Sequence, residues 1–244
     1  MNKNKSASIE ARLKNSRELL TFIKDYALYN PTSDDLKITN YEAYIDQVDA
    51  VVTSYRNSSS KLLLSQARER NIFTGIINIS RKVRFEIDEI RGRETDEYAQ
   101  VNTIVKLITG ENIQEHTVEK TKIVKALKEG DAKPDFISVS ELDRKSMLGN
   151  FRSLVSLIKS YSFYQPADNS ISAASLEGLE AEATVAMTDN MSKESDNLAD
   201  RSRIIHNFNG KGGLKDRARR SKVHVKRQYG ASSPEYRALT LKRY

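Results

Sequence analysis

The sequence predicts an all-α protein made of two copies of one helical hairpin unit, packed as a pseudo-twofold helical bundle. Three observations predict it. First, hydrophobic residues make up 38% of the 244 residues and charged residues 30%, with only 10 Gly and 4 Pro; scarce breakers and abundant charge suit helices with solvated outer faces. Second, apolar residues recur at three- and four-residue spacing along most of the chain. Third, the sequence repeats itself.

The repeat is clearest at an offset of 135 positions. The stretch from Asn15 to Pro31 lies over Asn150 to Pro166, with Asn15, Arg17, Leu19, Ile23, Lys24, Tyr26, Tyr29 and Pro31 matched by identical residues. Unrelated sequences would agree at about one of these positions. The same offset pairs Glu42 with Glu177, Thr53 with Thr188, Leu63 with Leu198, Arg68 with Arg203, Phe73 with Phe208 and Gly75 with Gly210. After three extra residues, nominally Lys211 to Gly213, the offset becomes 138. Gly92, Thr95, Glu97 and Tyr98 then lie over Gly230, Ser233, Glu235 and Tyr236. Residues 9–108 and 144–244 read as two copies, with 109–143 joining them.

In the first copy, Ile9, Leu13, Leu20, Ile23 and Ala27 form a helical stripe that Asn30-Pro31 ends. A second stripe runs through Tyr41, Tyr44, Ile45, Val48, Val51, Val52 and Tyr55. Another follows through Ile76, Ser80, Val83, Ile87 and Ile90, and Val101, Ile104, Val105 and Ile108 close the copy. In the joining segment, Val118–Gly130 reads as a short helix, 131–140 reads as extended chain or loop, and Ser140 with Asp143 reads as a cap. The second copy carries Leu148, Phe151, Leu154, Val155 and Ile158, then Leu176, Leu179, Ala183 and Ala186, then Leu214, Ala218, Ser221 and Val225. Each stripe covers one face only, as in a bundle. The repeated Gly-x-x-Thr/Ser-x-Glu-Tyr element reads as a corner between helices. Its glycine closes one helix, its hydroxyl caps the next, and its glutamate favours the first turn.

There is no cysteine, which excludes disulfides, thiolate metal sites and a cysteine nucleophile. The three histidines, His116, His206 and His224, lack the spacing of a helical zinc site and read as surface or capping residues. No metal or cofactor is expected. Asn209 to Gly213 lacks the spacing and preceding strand of a phosphate-binding loop; it reads as a lengthened turn, at whose following helix an anion could still sit. Tyr26, Tyr29, Tyr161 and Tyr164 read as plugs at the bundle ends. The N-terminus shows no apolar leader and no window is apolar enough to span a membrane, so a cytoplasmic location is expected.

Charge is uneven. From Arg201 to Tyr244 there are 13 basic and 2 acidic residues, whereas Asp168 to Asp200 holds 8 acidic residues against Lys193 alone. On the helix expected at about 214–229, Lys215, Arg217, Arg219, Arg220, Lys222, Lys226 and Arg227 occupy the flanks and outer face. They form the candidate site for nucleic acid or another polyanion. The plain alternative is that they pair with the acidic segment or are simply solvated. The functional expectation is a non-enzymatic helical scaffold or interaction protein, with a protein partner or self-association. The alternatives are weak, sequence-independent polyanion binding and an enzyme whose site no short motif marks.

Overall fold

The structure is a computed structural model that describes residues 9–111 and 143–241. The fold is all-α, as expected. Among the described residues lie seven α-helices, two short 3-10 turns and no strand. The helices are α1 (Ile9–Lys24), α2 (Ile38–Arg91), α3 (Asp96–Thr109), α4 (Arg144–Ser160), α5 (Ala173–Asn209), α6 (Leu214–Tyr229) and α7 (Pro234–Thr240). The readings at Val118–Gly130, 131–140, Ser140 and His116 lie outside the described residues.

The helix boundaries follow local chemistry. The chain after α1 tightens through 3-10-type bonds, Asp25 N–H to Phe22 O (3.2 Å) and Tyr26 N–H to Ile23 O (3.3 Å), which occupy carbonyls the helix end would leave unpaired. Asp143 caps α4, its carboxylate accepting from the N–H groups of Lys145 (2.8 Å) and Ser146 (3.1 Å). Both Gly-x-x-Thr/Ser corners behave as read. Gly92 and Gly230 take positive φ (84° and 95°), open to glycine at little cost. Thr95 and Ser233 then cap α3 and α7 by accepting from Tyr98 N–H (3.4 Å) and Tyr236 N–H (3.1 Å).

The stripes at 41–55 and 76–90 both belong to one helix, the 54-residue α2. The stretch between them has no proline and only Gly75 as a weak point. Its serines, which favour turns when they compete for backbone groups, are accommodated here: Ser58 Oγ donates to Tyr55 O (3.0 Å). In the second half, Gly210–Gly213 separates α5 from α6.

The chain forms two compact units. Of the described residues, the terminal unit comprises 9–63 and 193–241; the central unit, central in sequence, comprises 64–111 and 143–192. In the terminal unit, Leu19, Ile23, Tyr41, Ile45 and Val48 pack with Phe208, Leu214, Ala218, Val225 and Leu239. In the central unit, Phe73, Ile76, Val83, Ile87, Val101 and Val105 pack with Phe151, Leu154, Ile158, Leu176 and Ala183. Burial of each Val, Leu, Ile or Phe side chain among them contributes about 1.5–3 kcal/mol. Each unit also carries the same pair of anchors. Tyr29 OH donates to Leu36 O (3.0 Å) in one, and Tyr164 OH to Ile171 O (2.8 Å) in the other. Lys24 pairs with Glu42 in the terminal unit, and Lys159 with Glu177 in the central unit.

Candidate polyanion interface

Helix α6 carries the candidate site, and the glycine turn before it sets where the helix starts. A Cβ on Gly213 would lie 2.7 Å from Asn207 O, and Gly212 has φ +75°, so neither position accepts a side chain without strain. The turn does not present an empty anion cradle. The Asp216 carboxylate accepts from Gly212 N–H (3.2 Å), placing a negative charge of the chain itself at the helix N-terminus, where the dipole favours it.

Leu214, Ala218, Ser221, His224 and Val225 form the buried face of α6. Tyr229 is half-buried and accepts from Leu28 N–H through its hydroxyl (2.8 Å). His224 departs from the expectation of a surface histidine. It is only 7% exposed and lies edge-on to the Tyr29 ring, centroids 5.2 Å apart. Tyr29 OH also donates to Ser221 Oγ (3.0 Å). Burial, reinforced by the neighbouring Arg227 charge, pushes the His224 imidazole below its usual value. His206 is exposed. Among the described residues no cluster of His, Asp and Glu could hold a metal ion.

The seven basic residues split into two groups. Arg217 and Arg220 face the 3-10 turn Asp34–Leu36. Arg217 donates to Gly212 O (2.8 Å) and to Asp35 O, with its guanidinium 4.0 Å from the centroid of the Tyr44 ring. Arg220 pairs with the Asp35 carboxylate, reaches Ser33 Oγ (3.3 Å) and lies 3.0 Å from Asp216. Its hydrogen bond holds the Asp35 carboxyl below the usual range, and the carboxylate in turn raises the guanidinium. Lys222 is half-buried, which lowers its ammonium pKa. Lys215, Arg219, Lys226 and Arg227 are exposed. Arg219 makes an i,i+3 pair with Asp216 (3.0 Å), and Lys226 lies 5.8 Å from the Tyr236 ring.

Arg217, Arg219 and Arg220 thus turn to Asp35 and Asp216, not to the acidic stretch 168–200 that the sequence suggested. That stretch has cations of its own. In the central unit Asp168 pairs with Lys82 (3.0 Å), Glu180 with Arg152 (2.9 Å) and Glu182 with Arg68 (3.7 Å). In the terminal unit Asp200 accepts from Ser54 Oγ (3.0 Å) and Arg203 (3.2 Å). Asp35, Ser33 and Tyr44, which tie down α6, were not legible as its partners. They lie more than 170 positions away, and no local pattern links them.

No protein-family model, curated protein or solved structure matches the chain. No helix among the described residues is long and apolar enough to cross a membrane.

Proposed function

We propose that the chain is a non-enzymatic helical scaffold or interaction protein, built from two copies of one helical unit. Recurrent contacts support the duplication. The Tyr29–Leu36 and Lys24–Glu42 contacts recur 135 positions on as Tyr164–Ile171 and Lys159–Glu177. The corners recur too, with one cap geometry. The paired tyrosines Tyr26 and Tyr161 also reach across to the other copy, though to acceptors that do not correspond. Tyr26 OH donates to Glu235 O (3.1 Å), while Tyr161 OH donates to Gln100 Oε1 (3.4 Å). Burial and, next, Glu235 raise the Tyr26 phenol; burial and, next, Glu97 raise that of Tyr161. Each unit therefore combines the first part of one copy with the last part of the other.

The observation that carries the interaction role is a set of large apolar side chains left in solvent at matching positions. Leu63 and Leu198 are 67% and 55% exposed, and Phe85 and Val223 are 59% and 57% exposed. A single exposed leucine needs no explanation; the same exposure at equivalent positions of both copies favours a contact surface. Light scattering on size-exclusion fractions tests it. A mass above that of one chain is expected, returning to a single chain when Leu63, Leu198, Phe85 and Val223 are changed to serine. A monomer at every concentration counts against self-association.

A second reading is weak, sequence-independent binding of nucleic acid or another polyanion. The exposure of Lys215, Arg219, Lys226 and Arg227 along α6 favours it. With Arg217 and Arg220 engaged internally, about four phosphates would be met, so log K should fall against log salt with a slope of about −3 to −4 on duplex DNA. Changing Lys215, Arg219 and Arg227 to glutamate should abolish binding with little loss of helix. Binding that survives those changes, or none to DNA, RNA or heparin at low salt, counts against it.

A further inference from the structure

Both hydrophobic cores draw on residues from each side of the joining segment. The terminal core joins Leu19, Ile23 and Ile45 to Phe208, Leu214 and Leu239. The central core joins Phe73, Ile87 and Val105 to Phe151, Leu154 and Leu176. The cause is α2. It is uninterrupted from Ile38 to Arg91 and carries two buried apolar stretches, Tyr41–Val52 and Ile72–Ile87. A continuous helix cannot fold back on itself, so each stretch must be covered by other elements. α1 and α3 cover part of them, and the second half of the chain supplies the rest. The polar contacts follow the same division: Tyr44 OH donates to Asn207 O (3.2 Å), Ser54 Oγ to Asp200 (3.0 Å) and Ser65 Oγ to Asn190 (3.1 Å). Arg220 pairs with Asp35 across the same division.

We infer that residues 9–111 and 143–241 are binding partners for each other, joined by a covalent connection that folding does not require, and that the complementary half can come from a second copy of this chain. Each half offers its partner two apolar faces, one for each core, in the manner of an obligate interface between subunits. Covalent linkage of two binding partners typically gives an effective concentration of about a millimolar. The closed single chain therefore dominates at low concentration, and chains that fold together near that concentration exchange halves. This pairing rests on the two cores and goes beyond the scaffold reading, which concerns outside partners.

The test uses the full chain with a protease site inserted within 119–138. After complete cleavage under native conditions, the two fragments should co-elute with the mass of the intact chain and keep its helical circular dichroism. They should separate in denaturant and re-form the same species when refolded together. Separation under native conditions would overturn the pairing. For the exchange, two differently tagged intact chains are unfolded together and refolded at about 0.01 mM and about 1 mM. Capture of one tag should retrieve the other at least tenfold more at the higher concentration. Absence of the mixed species at both concentrations refutes the exchange while leaving the result of the cleavage arm to decide the pairing.

Discussion

At the scale of single residues, Arg217 and Arg220 differ from Arg219 although all three belong to one basic run. A guanidinium that is partly buried and hydrogen-bonded contributes more than an exposed pair. Arg220→Ala is expected to cost on the order of 1–2 kcal/mol in urea unfolding, against about 0.5 kcal/mol or less for Arg219→Ala. Equal losses would mean that Asp35 does not hold α6. His224 sets a pH dependence. Burial lowers its folded pKa below the unfolded value, so at neutral pH both states are neutral and nothing is lost. As pH falls through about 6.5 the unfolded chain takes up a proton that the folded chain resists, and stability falls. Tyr29 and Arg227 face this imidazole and supply no compensating negative charge. The unfolding midpoint should therefore drop between pH 7 and 5, and the drop should shrink in His224→Gln. An unchanged pH profile in that variant would assign the effect elsewhere.

Among the elements, the helix ends were the most legible feature. Gly92, Thr95, Gly230 and Ser233 act through bonds to residues within four positions, so local sequence suffices. Ser233→Ala and Thr95→Ala should each cost about 1 kcal/mol, the usual loss of a capping hydroxyl, measured by thermal or urea unfolding. Gly213→Ala should cost more than either, because its Cβ would meet the Asn207 carbonyl at 2.7 Å. A neutral Gly213→Ala would show that the turn relaxes. Less legible was the continuity of α2. Between its two apolar stripes lie serines and other polar residues beside Leu62, Leu63 and Leu64, and side chains from the second half of the chain meet the serines. Asn197, for example, donates to Ser58 Oγ (3.3 Å) and Ser59 Oγ (2.7 Å).

Over the whole molecule, the two cores are separate clusters. Leu19 and Leu154, 135 positions apart, are both fully buried, one in each core. Truncating either to alanine should cost about 2–5 kcal/mol. With no shared partners, the double variant should lose the sum to within about 0.5 kcal/mol. A large departure from additivity, read from denaturant titrations of the two single variants and the double, would mean that the cores act as one.

The amino-acid order by itself determined the helical class, the positions of the caps and corners, the inward face of α6 and the recurrence that pairs Tyr29 with Tyr164. These depend on spacing and on neighbours within a turn or two, which a linear sequence displays. Only the tertiary structure decided that α2 is one helix, that each core takes residues from both halves, and that Arg217 and Arg220 are held by the turn at Asp35. Those outcomes depend on which groups meet across long separations. Apolar stripes state that a face must be covered without stating by what, and a charge states no partner, because burial and Coulomb attraction carry no record of chain position.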